Sequence, residues 1–212
     1  MIMAEVKHRC RLYLQFPAQP SALIEAQLAQ AVAGADVACV LICPDESPID
    51  EIHAGRLVDL VQGRGLACLI ENDSELAERL GADGVHIEAD PAAYTEARNR
   101  LGESASIGAG CGLRRHDAML LAEMGADYVA FGPDAGSDID AIDQCAELIA
   151  WWAGIFVVPC VAWNVDNAAE AARLAALGAD FVAPSREIWR GDEAPRLIAE
   201  IDSAIRQARR AA

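Results

Sequence analysis

The stretch Gly125-Ala126-Asp127-Tyr128-Val129-Ala130-Phe131-Gly132-Pro133 decides the fold, because its first part occurs four times in the chain. The other copies are Gly34-Ala35-Asp36, Gly81-Ala82-Asp83 and Gly178-Ala179-Asp180. Each copy follows an Ala/Leu-rich segment with helical spacing and precedes a short apolar run. This order predicts that each glycine ends a helix in the left-handed conformation and that each apolar run is a buried strand.

The spacing of the copies predicts how many units the fold contains. Neighbouring copies begin roughly 50 residues apart, which leaves room for one further strand and helix between them. Four copies and four intervening units make eight, so we predict a (β/α)8 TIM barrel of the α/β class, as a single domain over residues 1–212. An open doubly wound sheet is the alternative, since it uses the same units.

Hydrophobic periodicity and turn residues locate the individual elements. Ser21 is the predicted cap of the first helix, and Pro91 suits the first turn of the fourth. The predicted strands are 10–16, 37–43, 66–70, 84–87, 106–109, 128–131, 155–161 and 181–183. The predicted helices are 21–32, 49–63, 74–80, 91–101, 115–124, 139–152, 167–177 and 195–209.

Composition excludes several classes of partner. The formal net charge of -16 disfavours nucleic acid and anionic membrane surfaces, which leaves a small-molecule ligand and a homo-oligomer open. No apolar run approaches the roughly 20 residues of a membrane span, and the first residues lack the apolar core of a secretion signal, so a cytoplasmic protein is expected. The seven cysteines form no Cys-x-x-Cys pair and are predicted to be reduced core residues.

Six segments, in the right order, resemble the thiamine phosphate synthase family, which includes a thiazole tautomerase branch. The resemblance implies the barrel fold and a transferase reaction that joins hydroxymethylpyrimidine pyrophosphate to thiazole phosphate, with Mg²⁺ helping the pyrophosphate to leave. In a barrel this chemistry takes place where the strands end. The six segments are Arg11-Leu12-Tyr13-Leu14, Asp36 to Val40, Gly81 to Ile87, Gly125 to Pro133, Val158 to Ala162 and Gly178 to Val182.

Three elements with which the family grips phosphate are missing at the matching positions. Where the family has Gln-x-Arg-x-Lys after the second strand, this chain has no Arg, Lys or Gln from Val37 to Gly55. A Thr-x-Thr-Lys element is replaced by the acidic stretch from Asp134 to Asp140. The Ile-Gly-Gly-Ile loop after the seventh strand is replaced by Trp163-Asn164-Val165, which contains no glycine.

The resemblance places oxygen ligands for Mg²⁺ on Asn72, Asp73 and Asp90, after the third and fourth strands. Asp73 and Asp90 are displaced from the positions that the family uses. Carboxylate and amide oxygens suit a hard cation, so these three residues are the predicted metal ligands. A solvated acidic rim is the alternative interpretation.

Four residues at the last two strand ends are predicted to bind substrate or phosphate: Trp163, Asn164, Ser185 and Arg186. Trp163 either stacks on a flat ligand or plugs the mouth of the barrel. Arg186 either holds a single anion or pairs with an acid on the rim. His116 is the one candidate catalytic residue, as a proton carrier, although an exposed position in the first turn of a helix is the alternative.

The sequence thus predicts a diverged member of this family whose condensation activity is lost or altered, because three phosphate-binding elements are missing together. Two alternatives stay open. One is a non-catalytic binding or interaction barrel that kept the core. The other is a thiazole tautomerase-like enzyme, although the histidine position of that branch falls on Gly112.

Overall fold

The chain was analysed as a computed structural model that describes residues 9–19, 21–45, 49–133 and 139–211. Its strands are all parallel and close into a barrel in chain order, with each strand followed by a helix. The first strand pairs with the second and also with the eighth. This confirms the predicted (β/α)8 barrel, and the alternative of an open sheet is wrong because the sheet has no edge.

The strands are short and the helices lie outside them. The strands are β1 (Arg11–Pro17), β2 (Val37–Cys43), β3 (Ala67–Glu71), β4 (Gly84–Glu88), β5 (Ser106–Gly112), β6 (Tyr128–Phe131), β7 (Cys160–Val165) and β8 (Phe181–Pro184). The helices are α1 (Ala22–Gly34), α2 (Glu51–Gln62), α3 (Ser74–Leu80), α4 (Pro91–Leu101), α5 (Arg115–Glu123), α6 (Ile139–Ile155), α7 (Ala168–Ala176) and α8 (Ala194–Ala211). Within the described residues, no helix combines the length and apolar character that crossing a membrane requires.

The largest boundary error concerns the seventh strand, which was predicted at 155–161. In the structure Ile155 ends α6, and β7 begins only at Cys160. The apolar residue Phe156 stacks on Trp152 with ring centroids 3.9 Å apart, so this run packs the end of a helix. A short 3-10 helix, Arg186–Arg190, between β8 and α8 was also missed.

The repeated glycines end their helices as predicted at three of the four copies. Gly81, Gly125 and Gly178 have φ angles of 63°, 100° and 112°, which side chains rarely adopt. Gly34 is different, because α1 runs into an extended cap at Ala35 and a Cβ on Gly34 would meet nothing within 4 Å. The left-handed prediction is therefore wrong for Gly34.

The repeated aspartates bind the barrel together at the amino-terminal ends of the strands. We call Asp36, Asp83, Asp127 and Asp180 the N-terminal rim. Three of these carboxylates accept a backbone N–H from the start of the preceding strand at 2.8 to 2.9 Å. The same three aspartates return a backbone hydrogen bond to that residue. The three pairs are Asp83 with Cys68, Asp127 with Ile107 and Asp180 with Cys160.

The core has two layers, one between the strands and the helices and one inside the barrel. The inner layer contains Tyr13, Leu69 and Tyr128, with small residues between them. All seven cysteines are buried free thiols. The prediction that they are reduced core residues is therefore confirmed.

Candidate functional site

A cleft of about 1370 Å³ opens at the carboxyl ends of the strands, and we call it the mouth. Its described lining includes ionisable side chains from several strand ends and from the 3-10 helix. Acids outnumber cations among them, so the mouth is acidic. The lining acids are Asp45, Glu71, Glu88, Glu187 and Asp192, and the lining arginines are Arg114, Arg186 and Arg190.

Each of the three arginines in this lining already faces a carboxylate. An oxygen within about 4 Å of a guanidinium offsets much of its charge. The mouth therefore presents paired cations to a ligand and not an unopposed cationic clamp. The pairs are Arg114 with Asp117, Arg186 with Glu71 at 3.3 Å, and Arg190 with Glu187 at 2.7 Å.

The floor of the mouth is built from four aromatic side chains, which we call the aromatic chain. The Tyr13 and Tyr128 hydroxyls lie 2.8 Å apart, and the Tyr128 hydroxyl lies 3.0 Å from Nδ1 of His86. The His86 ring stacks on the Trp163 indole, with centroids 4.4 Å apart and planes 5° from parallel. Only His86 and Trp163 of these four line the mouth itself.

Burial decides the charge of His86, which is 5% exposed. Burial lowers the pKa of its imidazole to about 3, so the ring is neutral at physiological pH. Nδ1 is engaged with Tyr128, and Nε2 makes no hydrogen bond to any residue that the structure describes. Because His86 lines the mouth, Nε2 is available to a ligand as a neutral hydrogen-bonding group, whose direction depends on the tautomer.

Glycines on the strands next to the aromatic chain make room for it. A Cβ on Gly108 would lie 1.8 Å from Cζ of Tyr128, and one on Gly110 would lie 3.0 Å from Nε2 of His86. Gly112 continues the same alternation along β5, which places these glycines on one face of the strand. Glycine at every second position of β5 is the sequence signal that could have located the aromatic chain.

Trp163 combines the two interpretations that the sequence left open. Its indole covers the barrel interior, where it lies against His86 and, at 5.4 Å between centroids, against Tyr13. The residue is only half-buried and lines the mouth. The structure therefore makes Trp163 both a plug of the barrel and part of the surface that a ligand would meet.

Asn164 fixes the loop that carries Trp163. It adopts a φ of 57°, and its side chain accepts from Nε2 of Gln15 and donates to the carbonyl of Pro133, both at 3.1 Å. These bonds tie the end of β7 to β1 and to the residues after β6. Asn164 lines the mouth, but both ends of its amide are occupied by the protein.

Ser185 and Arg186 follow β8, and both line the mouth. The Ser185 hydroxyl caps the 3-10 helix by accepting from the N–H of Glu187 at 3.4 Å. Arg186 donates from Nη1 to the carbonyl of Pro44 at 3.2 Å and pairs with Glu71. The rim ion pair that the sequence left as an alternative is therefore present.

The three predicted metal ligands are exposed, and each has a local structural role. Asn72 accepts from the N–H of Glu88 at 3.0 Å, whereas Asp73 and Asp90 cap α3 and α4. Residues 9–19, 21–45, 49–133 and 139–211 contain no group of three His, Cys, Asp or Glu side chains that could hold a metal ion. Metal binding at these positions stays a prediction, because Mg²⁺ is usually held by one or two carboxylates together with waters and substrate phosphates.

His116 is exposed at the second residue of α5 and lies outside the described lining of the mouth. Gly112, where the tautomerase branch has its histidine, lines the mouth with a φ of 55°. The structure therefore does not bring His116 together with the other predicted site residues, and its role as a proton carrier stays a prediction.

Comparison with known sequences gives a consistent result. Residues 17–188 match the family model described as thiamine monophosphate synthase. A thiamine-phosphate synthase of Rhodospirillum centenum is 37% identical over 88% of this chain and 92% of its own length. Another of Erythrobacter litoralis is 40% identical over 68% of this chain and 72% of its own length.

Comparison with solved structures supports the fold alone, because the identities are low. Thiamine phosphate pyrophosphorylase from Pyrococcus furiosus superposes with a TM-score of 0.74 and 15% identity, covering 96% of this chain and 99% of its own. GGGPS from Thermoplasma volcanium superposes with a TM-score of 0.69 and 13% identity, covering 94% of each chain.

Proposed function

The chain belongs to the thiamine monophosphate synthase family, and we propose that it is a transferase of this family altered in its substrate. It binds a planar heterocycle that carries one anionic group, at the mouth of the barrel. The observation that carries the proposal is that every arginine in the described lining is paired with a carboxylate. A pyrophosphate group needs several cations at once, and this lining supplies none that is unopposed.

The aromatic floor supports the heterocyclic part of the proposal. The Trp163 indole stacks in parallel on the His86 ring, and both residues line the mouth, so an aromatic face and the polar atom Nε2 of His86 are offered to a ligand there. Because His86 is neutral, it discriminates by hydrogen bonding and not by charge.

The missing cations determine how much slower we expect the condensation reaction of the family to be in this chain. Loss of one preorganised donor to a developing negative charge costs about 100-fold or more in rate. The resemblance to the family indicates that three such elements are missing, and the stretch from Val37 to Gly55 contains no Arg, Lys or Gln that could replace one of them. We therefore expect the condensation to run at least about 100-fold more slowly than in a relative that has these elements. No step is assigned to Mg²⁺, since its binding to this chain is an untested prediction.

A tautomerase function receives no support from the geometry. His116 lies outside the mouth, and His86 has a pKa of about 3. An efficient general base has a pKa near the operating pH, so His86 is a poor proton acceptor at neutrality.

Two assays test the proposal with the purified chain. The first measures turnover of hydroxymethylpyrimidine pyrophosphate and thiazole phosphate with Mg²⁺, with the Rhodospirillum centenum relative as the reference. The second measures binding of pyrophosphate, thiazole phosphate and the free pyrimidine by calorimetry, with and without Mg²⁺. We expect very slow turnover, no Mg²⁺-dependent pyrophosphate binding, and binding of a ring ligand that quenches the fluorescence of Trp163.

A second candidate is the unaltered synthase, and the 37% identity to a thiamine-phosphate synthase over 88% of this chain favours it. Turnover comparable to that of the reference, with Mg²⁺-dependent binding of pyrophosphate, would establish this candidate and overturn the proposal. Absence of both turnover and ring binding would instead indicate a non-catalytic barrel.

A further inference from the structure

Glu71 and Arg186 meet across one side of the mouth, although 115 residues separate them in the chain. Glu71 ends β3, and its side chain is 14% exposed, whereas Arg186 follows β8 and is 45% exposed. Oε2 of Glu71 lies 3.3 Å from Nη1 of Arg186. The acid is thus the better buried partner, and the arginine faces the solvent in the mouth.

The contact leaves much of the guanidinium unused. Nη1 serves both Glu71 and the carbonyl of Pro44, at 3.3 and 3.2 Å, while Nε and Nη2 make no hydrogen bond to any residue that the structure describes. A strong charge-assisted bond of this type measures about 2.7 to 2.9 Å and is often bidentate. The Glu71 contact is longer and single, so an incoming anion with two oxygens has a geometric advantage over it.

We propose that Glu71 determines which anions the mouth accepts, by occupying Arg186 as an internal anion that a phosphate, sulfate or carboxylate group of the ligand must displace. The inference rests on the proposed function for the place of the ligand and adds the residue that controls access to it. The mouth then discriminates between weakly and doubly charged anions by how well each replaces the Glu71 carboxylate at Arg186.

The surroundings of Glu71 suit a carboxylate that can be displaced. Burial raises the pKa of Glu71, while Arg186 and a hydrogen bond from the Cys43 thiol oppose the rise and Glu88 adds to it. The cost of burying the charge and the attraction to Arg186 therefore act against each other.

Sulfate is the probe, because it stays doubly charged over the pH range in which carboxyl groups titrate. Its binding to the intact chain is measured by calorimetry for the wild type and for three variants, Glu71→Gln, Glu88→Gln and Arg186→Gln. Glu88→Gln is the matched control, since it removes one negative charge from the mouth without touching Arg186. We expect Glu71→Gln to bind sulfate at least about 10-fold more tightly and Glu88→Gln less than about 3-fold more tightly, because charges near a surface interact weakly unless they are in contact.

Arg186→Gln identifies the site, because it should abolish sulfate binding both alone and combined with Glu71→Gln. Glu71→Asp is a second test, since its shorter side chain withdraws the carboxylate and should also raise sulfate affinity. Thermal melting confirms that each variant is folded. Equal sulfate affinity in the wild type, Glu71→Gln and Glu71→Asp, or sulfate binding that survives Arg186→Gln, would overturn the inference. Failure of ring binding in the earlier calorimetry would overturn the proposed function and leave this result untouched.

Discussion

The two ends of this barrel are built on different plans. At the N-terminal rim, Asp83, Asp127 and Asp180 make the same pair of bonds to the preceding strand, with distances that agree within 0.1 Å for the side-chain bond. At the mouth the strand ends differ from one another in the side chains that they contribute to the lining. Each strand end contributes something different there, such as the Trp163 indole or the Glu71 carboxylate.

The difference shows which part of the sequence specifies the fold and which part specifies the function. A contact that recurs at three of the four Gly-Ala-Asp copies joins neighbouring strands of the barrel. A contact found once, such as the stack of His86 on Trp163, does not close the barrel. It is explained either by a ligand or by the packing of the barrel interior. Substitutions at the two ends should therefore fail in different ways.

The largest expected effect comes from adding one methyl group beneath the mouth. Gly108→Ala places its Cβ 1.8 Å from Cζ of Tyr128, inside a buried hydrogen-bonded chain that cannot move aside. Overpacking of this kind should lower the free energy of unfolding by about 3 kcal/mol. Urea unfolding of the variant measures the loss.

Gly34→Ala is the matched control for that substitution, since a Cβ on Gly34 meets nothing within 4 Å and the residue is helical. Its stability should stay the same or rise by up to about 1 kcal/mol. Similar losses in Gly34→Ala and Gly108→Ala would mean that the aromatic chain does not set the packing of the interior.

A smaller effect is expected at the N-terminal rim. Asp180→Ala leaves the N–H of Cys160, a fully buried residue, without the carboxylate that it binds at 2.9 Å. Loss of one such bond costs about 1 to 3 kcal/mol of unfolding free energy. Asp192→Ala, at an exposed position of the mouth, should change it by less than about 0.5 kcal/mol. Urea unfolding measures the free energy of unfolding of both variants. A loss in Asp192→Ala as large as the loss in Asp180→Ala would contradict the division between the two ends.

The fold of this protein could be predicted from its sequence more fully than the mouth could. The repeat of Gly-Ala-Asp predicts the closed barrel. Local chemistry places the Ser21 cap and the first-turn Pro91 correctly, because these signals act over a few residues. The seventh strand was misplaced because Phe156 is apolar whether it ends a helix or begins a strand. Periodicity does not distinguish the two, and only the stack on Trp152 does.

The mouth was less predictable because its contacts join distant parts of the chain. The sequence identifies Arg186 as a cation near the site, but its partner Glu71 comes from the third strand and is brought there only by closure of the barrel. The neutrality of His86 depends on its burial, which no local pattern in the sequence reveals. Conversely, Asp73 and Asp90 have the right chemistry for a metal, and their use as helix caps is a matter of position alone.

The smallest expected effect is a pH dependence of stability that comes from His86 in the aromatic chain. Burial holds the pKa of His86 at about 3 in the folded state, below the value of about 6.5 in the unfolded chain. The unfolded state therefore binds more protons between these values, so stability falls as the pH falls through this window. His86→Gln removes this contribution, and between about pH 7 and about pH 6 the wild type should lose about 0.7 kcal/mol more than the variant. His116→Gln, which removes an exposed imidazole, should keep the wild-type loss. If urea unfolding at the two pH values gives equal losses for the wild type and His86→Gln, the folded imidazole takes up its proton over the same pH range as the unfolded chain, and the lowered pKa of His86 is wrong.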